Sequence, residues 1–101
     1  MTFYTRKQMI ELLEIDDGFI VTLEREEIIS RDAPAGSASE FSELMLERAR
    51  VAQNLMRDLD VNLPGVAVIV RLREEVSGLR RHLEQLLGEL GRLPRGSPRR
   101  G

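Results

Sequence analysis

The last third of this 101-residue chain repeats apolar residues every seven positions, and that repeat limits the folds open to it more than any other feature. Ile69, Val76, Leu83 and Leu90 hold one heptad position, and Leu72, Leu79, Leu86 and Leu93 hold the position three residues after each. A stripe of this period is the seam of a coiled coil, in which each apolar knob needs a hole supplied by a second helix. A helix from Leu63 to Leu90 would run about 40 Å at ~1.5 Å per residue, longer than the core of so small a domain can cover. The stripe therefore predicts a homodimer joined through Ile69, Leu72, Val76, Leu79, Leu83, Leu86 and Leu90. Asn62 starts this helix, with Pro64 in the first turn where a missing amide hydrogen costs nothing. Gly91 ends it, so Leu93 falls beyond the regular coil, and residues 61–93 form the long C-terminal part.

Upstream, residues 1–60 carry the signals of short helices. Thr5-Arg6-Lys7-Gln8 has the form of a capping box, in which threonine and glutamine side chains satisfy orphan amides at a helix start. Met9, Ile10, Leu12 and Leu13 give that first helix an apolar face. Asp16 or Asp17 can cap a second helix running to Glu27, with Phe19, Ile20 and Leu23 at helical spacing. Two short helices joined by a tight connection make a helix-turn-helix. Ile28 and Ile29 then lead into Asp32-Ala33-Pro34-Ala35-Gly36-Ser37-Ala38-Ser39, a run of turn formers that suits the tip of a β-hairpin or a loop and marks a candidate wing. Ser42 caps a third helix, with Phe41 placed to pack on Leu46 as a hydrophobic staple. Its apolar stripe, from Leu44 and Met45 through Ala49, Val51, Ala52, Leu55 and Met56 to Leu59, is broad enough for a central helix packed on both sides.

Composition narrows the function. There is no cysteine and a single histidine, so neither disulfides nor a transition-metal site finds its ligands, and no cofactor is expected. His82 lies inside the coiled-coil segment beside Arg80 and Arg81, without the base and orienting group that a nucleophile requires, and no strand precedes the C-terminal glycines to make a phosphate loop. The chain does not read as an enzyme. Its longest apolar run, Val66 to Val70, is far too short to span a membrane, and Arg6, Lys7 and Glu11 interrupt the N-terminus where a secretion signal would be apolar. The expected location is cytoplasmic.

The formal net charge is −2, but the charges are unevenly placed. Residues 1–47 hold four basic side chains, Arg6, Lys7, Arg25 and Arg31, against eleven acidic ones. Arg92, Arg95, Arg99 and Arg100 crowd the end among proline and glycine, so residues 94–101 are expected to be a disordered Arg/Pro/Gly tail. Asp16, Asp17, Glu24, Glu26 and Glu27 surround the second helix, where a DNA reader would carry arginine and lysine. Non-specific DNA affinity comes almost wholly from such basic groups. The second helix has one arginine, and the wing has no basic residue between Asp32 and Glu40. This speaks against DNA binding; charge alone leaves the acidic residues a solvated face or a binding surface, and only the family resemblance that follows implies that they are the partner-binding site.

Taken together, Tyr4-Thr5 before a short helix, Leu23-Glu24-Arg25-Glu26 at the end of the second, the pair Phe41-Ser42 and the terminal heptads resemble the MerR-like winged-helix superfamily over residues 3–93. Within it, the stretch from Asp58 to Val76, with Pro64-Gly65 after an apolar residue and then alternating small and branched residues, is similar to the CbpM family of chaperone modulators. Heat-shock repressors of the same superfamily carry a similar segment. The resemblance implies a mostly α fold, a MerR-like winged helix-turn-helix followed by a long dimerisation helix that pairs antiparallel. It also implies a partner, the J-domain of a DnaJ-like (CbpA-type) co-chaperone, whose stimulation of a DnaK-type chaperone is blocked. A J-domain presents a basic helix to DnaK, and an acidic face would compete for it. The alternative is a MerR-like DNA-binding transcriptional regulator.

Overall fold

The computed structural model describes residues 2–92, so Leu93 and the arginine-rich tail at 94–101 lie outside the described residues. The element order is β1 (Phe3–Tyr4), α1 (Arg6–Leu13), α2 (Asp17–Arg25), β2 (Phe41–Ser42), α3 (Glu43–Asp58) and α4 (Leu63–Gly91). The fold is mostly helical, with one small antiparallel sheet in which Phe3 pairs with Ser42 and Tyr4 with Phe41.

Helix starts follow local chemistry. The Thr5 capping box forms in both directions: Gln8 N–H donates to Thr5 Oγ1 at 3.0 Å and Thr5 N–H to Gln8 Oε1 at 2.9 Å. Of the two candidate caps for α2, Asp16 takes the role, its Oδ1 accepting from Phe19 N–H at 2.8 Å. Ser42 caps α3 by accepting from Met45 N–H at 3.4 Å, and Asn62 Oδ1 accepts from Gly65 N–H at 2.9 Å in the first turn of α4.

Helix ends are less orthodox. α2 stops at Arg25, short of the expected Glu27, because Ile28 N–H turns back to Leu23 O at 2.9 Å and Glu27 N–H to Glu24 O at 3.0 Å. This is a Schellman closure, which places the residue after the cap in the left-handed region and favours glycine there. Here that residue is Glu27, at φ 59°, and Glu14 and Asp60 take the same conformation at φ 54° after α1 and α3.

The expected wing is a loop, with no strand of its own on either side of its tip. Its amides at Asp32 and Ala33 both donate to Glu40 O, and the Asp32 carboxylate accepts from the Ser42 amide at 2.7 Å and from the Ser42 hydroxyl. A turn from Pro34 to Ser37, with Gly36 at φ 84°, forms the tip. The small residues Ala33 to Ser39 have little to pack in a ladder, and β2 pairs instead with the N-terminal β1.

The chain divides into two compact units within α4, after Arg71. In the first unit, Met9 and Leu13 of α1, Ile20 and Leu23 of α2, and Met45, Leu46, Ala49 and Ala52 of α3 form one core with Ile28, Ile29 and Phe41. Fully buried alanines at 49 and 52 let the neighbouring elements approach the α3 backbone closely. The start of α4 closes this core with Val66 and Val70, while Leu63 and Ala67 pack against it. The α3 stripe is narrower than the sequence suggests, since Leu44 and Leu59 are exposed, as is Leu12 of α1. In the second unit, α4 carries Leu72, Val76, Leu79, Leu83, Leu86 and Leu90 exposed at heptad spacing, with Leu87 beside them. Ile69, the first seam residue, falls in the first unit and is half-buried.

Candidate functional site: an acidic helix-turn-helix face

The five acidic residues singled out from the sequence do not act as one group. Arg6, on the first turn of α1, gathers two of them: its Nη2 lies 2.9 Å from Asp17 Oδ1 and its Nη1 3.0 Å from Glu24 Oε1. Glu40 stands 3.9 Å from the same guanidinium and 3.5 Å from Arg31. The capping box aims this cluster, because it fixes the first turn of α1 beside the start of α2. Partial burial of Arg6 alone would lower its pKa, but the hydrogen bonds to Glu24 and Asp17, with their charges, raise it above its ordinary value. Such a forked guanidinium holds two carboxylates in fixed geometry.

Asp16 is bound into its own helix as the N-cap. Glu26 and Glu27 stand exposed past the C-terminal end of α2, and neither side chain makes a hydrogen bond or ion pair among the described residues. Of the candidates, these two offer a charge that no neighbouring side chain offsets. Arg25 is the one basic residue of α2, and the loop from Asp32 to Glu40 has none.

Sequence reasoning missed Arg6 as the centre and Glu40 as part of the network. A usable signal existed: with four basic side chains among eleven acidic ones in residues 1–47, each arginine there is outnumbered. It also missed an open cleft of about 550 Å³ between the α1–α2 connection and the second half of α3. Ile15, Phe19 and Met56 supply its apolar lining and Glu14, Asp16 and Arg57 its charged rim. Gln53, also in the wall, donates to Leu13 O at 2.8 Å and ties α3 to the end of α1. Among the described residues no group of three or more His, Cys, Asp or Glu side chains could hold a metal ion, and no helix is long and apolar enough to cross a membrane.

Two short capped helices, a loop closed onto a two-stranded sheet and a long last helix define a helix-turn-helix protein, and the chain belongs to the MerR HTH family of regulatory proteins, whose profile matches residues 4–87. Its curated relatives include the chaperone modulatory protein CbpM of Coxiella burnetii, from strains Dugway 5J108-111 and RSA 331, each 30% identical over 73 residues. That match covers 72% of this chain and 65% of the relatives' length. These relatives meet the resemblance to CbpM proteins expected from the sequence. No solved structure matches the chain at a significant level.

Proposed function

We propose that this chain is a homodimeric regulatory binding protein, not an enzyme, that captures the J-domain of a DnaJ-like, CbpA-type co-chaperone and keeps it from acting on a DnaK-type chaperone. The observation that carries this reading is the charge of the helix-turn-helix face. Residues 16–27 hold Asp16, Asp17, Glu24, Glu26 and Glu27 against Arg25 alone. A face of that sign repels phosphates and complements a basic protein helix. The relatives' name, chaperone modulatory protein, agrees with it.

Dimerisation rests on the exposed stripe of α4. Leu72, Val76, Leu79, Leu83, Leu86 and Leu90, with Ile69 at its start, form an apolar surface that water tolerates poorly and that heptad spacing matches to a second copy. The reading is of a cytoplasmic protein.

A second reading, a DNA-binding transcriptional regulator, draws on the family to which the chain belongs. It requires several phosphate contacts from arginine or lysine on α2 and the wing loop, and those elements offer Arg25 alone.

The test titrates a cognate J-domain into the protein and measures J-stimulated ATPase turnover of the chaperone. Binding with suppressed stimulation is expected, and a gel shift with duplex DNA at low salt should stay negative. Glu26→Lys with Glu27→Lys is the charge reversal of choice, because Asp16 caps α2 and Asp17 and Glu24 hold Arg6. Roughly tenfold weaker binding is expected for the pair. Retained affinity would remove the end of α2 from the interface, and a DNA shift without J-domain binding would favour the second reading.

A further inference from the structure

The cleft beside the α1–α2 connection uses groups that the acidic-face reading leaves idle. Ile15, Phe19 and Met56 are only partly buried against the core, and each turns part of its surface to the opening. Methionine and an aromatic ring together make an adaptable apolar seat. The rim decides what the seat can hold. Arg57 is already occupied, its Nε 3.1 Å from Asp58 Oδ1 and its Nη2 2.9 Å from Asn54 Oδ1. Glu14 makes no side-chain hydrogen bond or ion pair among the described residues, and Asp16 spends one oxygen on the Phe19 amide. The uncompensated charge at the mouth is therefore negative.

We infer that this cleft is the anchor point for an apolar side chain on a basic amphipathic helix, whose flanking lysine or arginine side chains meet Glu14 and Asp16. This deepens the proposed function and rests on it, since the helix in question is the basic one of the J-domain. A helix laid into a groove binds through a few apolar anchors, and charge at the rim sets its orientation and the rate of encounter. An acidic peptide would meet like charge at this mouth. A purely apolar one would leave both carboxylates unanswered.

Glu14 allows a clean test because it sits at φ 54°, where glycine is the unstrained residue. Glu14→Gly deletes the carboxylate while relieving the backbone, so lost binding cannot be blamed on lost folding. Met56→Lys, at the partly exposed seat, is the second variant, and helical circular dichroism with thermal melting checks both. Calorimetric titration of the full chain with the J-domain should give roughly tenfold weaker binding for Glu14→Gly and a larger loss for Met56→Lys, with the Ile15 and Met56 methyl resonances shifting on titration of the wild type. If the wild type binds the J-domain and both folded variants match it, the cleft is not the anchor and the proposed function survives. If the wild type does not bind, both fall. Methyl shifts that grow with protein concentration in the absence of J-domain would assign the cleft to a second copy and overturn the inference.

Discussion

At Gly65, helix propensity and packing point in opposite directions. A glycine in the first turn of α4 costs about 1 kcal/mol of propensity relative to alanine, so Gly65→Ala would ordinarily stabilise the chain. A Cβ built there, however, would stand 2.9 Å from Val61 Cγ1 and 3.1 Å from Asn62 Oδ1, the atom that accepts the Gly65 amide. Val61 is branched at Cβ and has few rotamers to retreat to. The expected result is a net loss of about 1 kcal/mol in a denaturant melt, and a gain in stability would show that the cap yields freely. The Pro64-Gly65 pair that carried the resemblance to CbpM proteins thus has a structural cause at its second residue. Arg6 shows the opposite relation between sequence and structure. As a residue type it reads as an ordinary surface cation, and only the packing of α1 against α2 reveals that it holds Asp17 and Glu24. Its raised pKa adds stability that is complete below its unfolded value and is lost only in strong alkali, so it brings no pH switch near neutrality.

Helix starts were legible in the sequence and the end of α2 was not, for a physical reason. An N-cap is made by a side chain, so Thr5, Asp16, Ser42 and Asn62 announce themselves by type and spacing. A Schellman closure is made by backbone, and its usual sign is a glycine. At the end of α2, Glu27 stands in the left-handed position instead, which hid that the helix stops at Arg25. The wing, open in the sequence between a hairpin tip and a loop, is a loop because β2 pairs with β1 near the N-terminus, and a two-residue strand has no readable alternation. Ser42 joins these local devices, because it caps α3 and also gives its amide and hydroxyl to Asp32. Ser42→Ala should therefore cost more than a simple cap, about 1.5–2 kcal/mol by thermal or chemical denaturation, and a loss of only a few tenths would mean that Asp32 finds solvent instead. The α4 stripe was legible from Leu72 to Leu90, and its exposure makes the dimer directly testable. Leu79→Glu with Leu83→Glu should give a monomer by sedimentation, with the melt of the first unit still cooperative. A wild-type chain that already sediments as a monomer at micromolar concentration would remove the seam's proposed role.

For the whole molecule, the decisive quantity is the sign of the field around the helix-turn-helix unit. A fold whose family takes its name from a helix-turn-helix here carries carboxylates along α2 and at both of its ends. The paired ones, Asp17 and Glu24, are partly neutralised by Arg6. Glu14, Glu26 and Glu27 have no such partner among the described residues, and they set the outward potential. Electrostatic attraction between exposed charges is screened over about 10 Å at 0.1 M salt, and it acts mainly on the rate of encounter. If a basic helix is the target, affinity for the J-domain should fall by roughly tenfold between about 0.05 and about 0.5 M salt, with most of the change in the association rate. The dissociation rate should change little, because an apolar anchor in the Ile15, Phe19 and Met56 cleft is insensitive to screening. Stopped-flow measurement across that salt range separates the two contributions. Affinity that is flat with salt would mean that the carboxylates around α2 do not face the partner, leaving apolar contact to account for recognition.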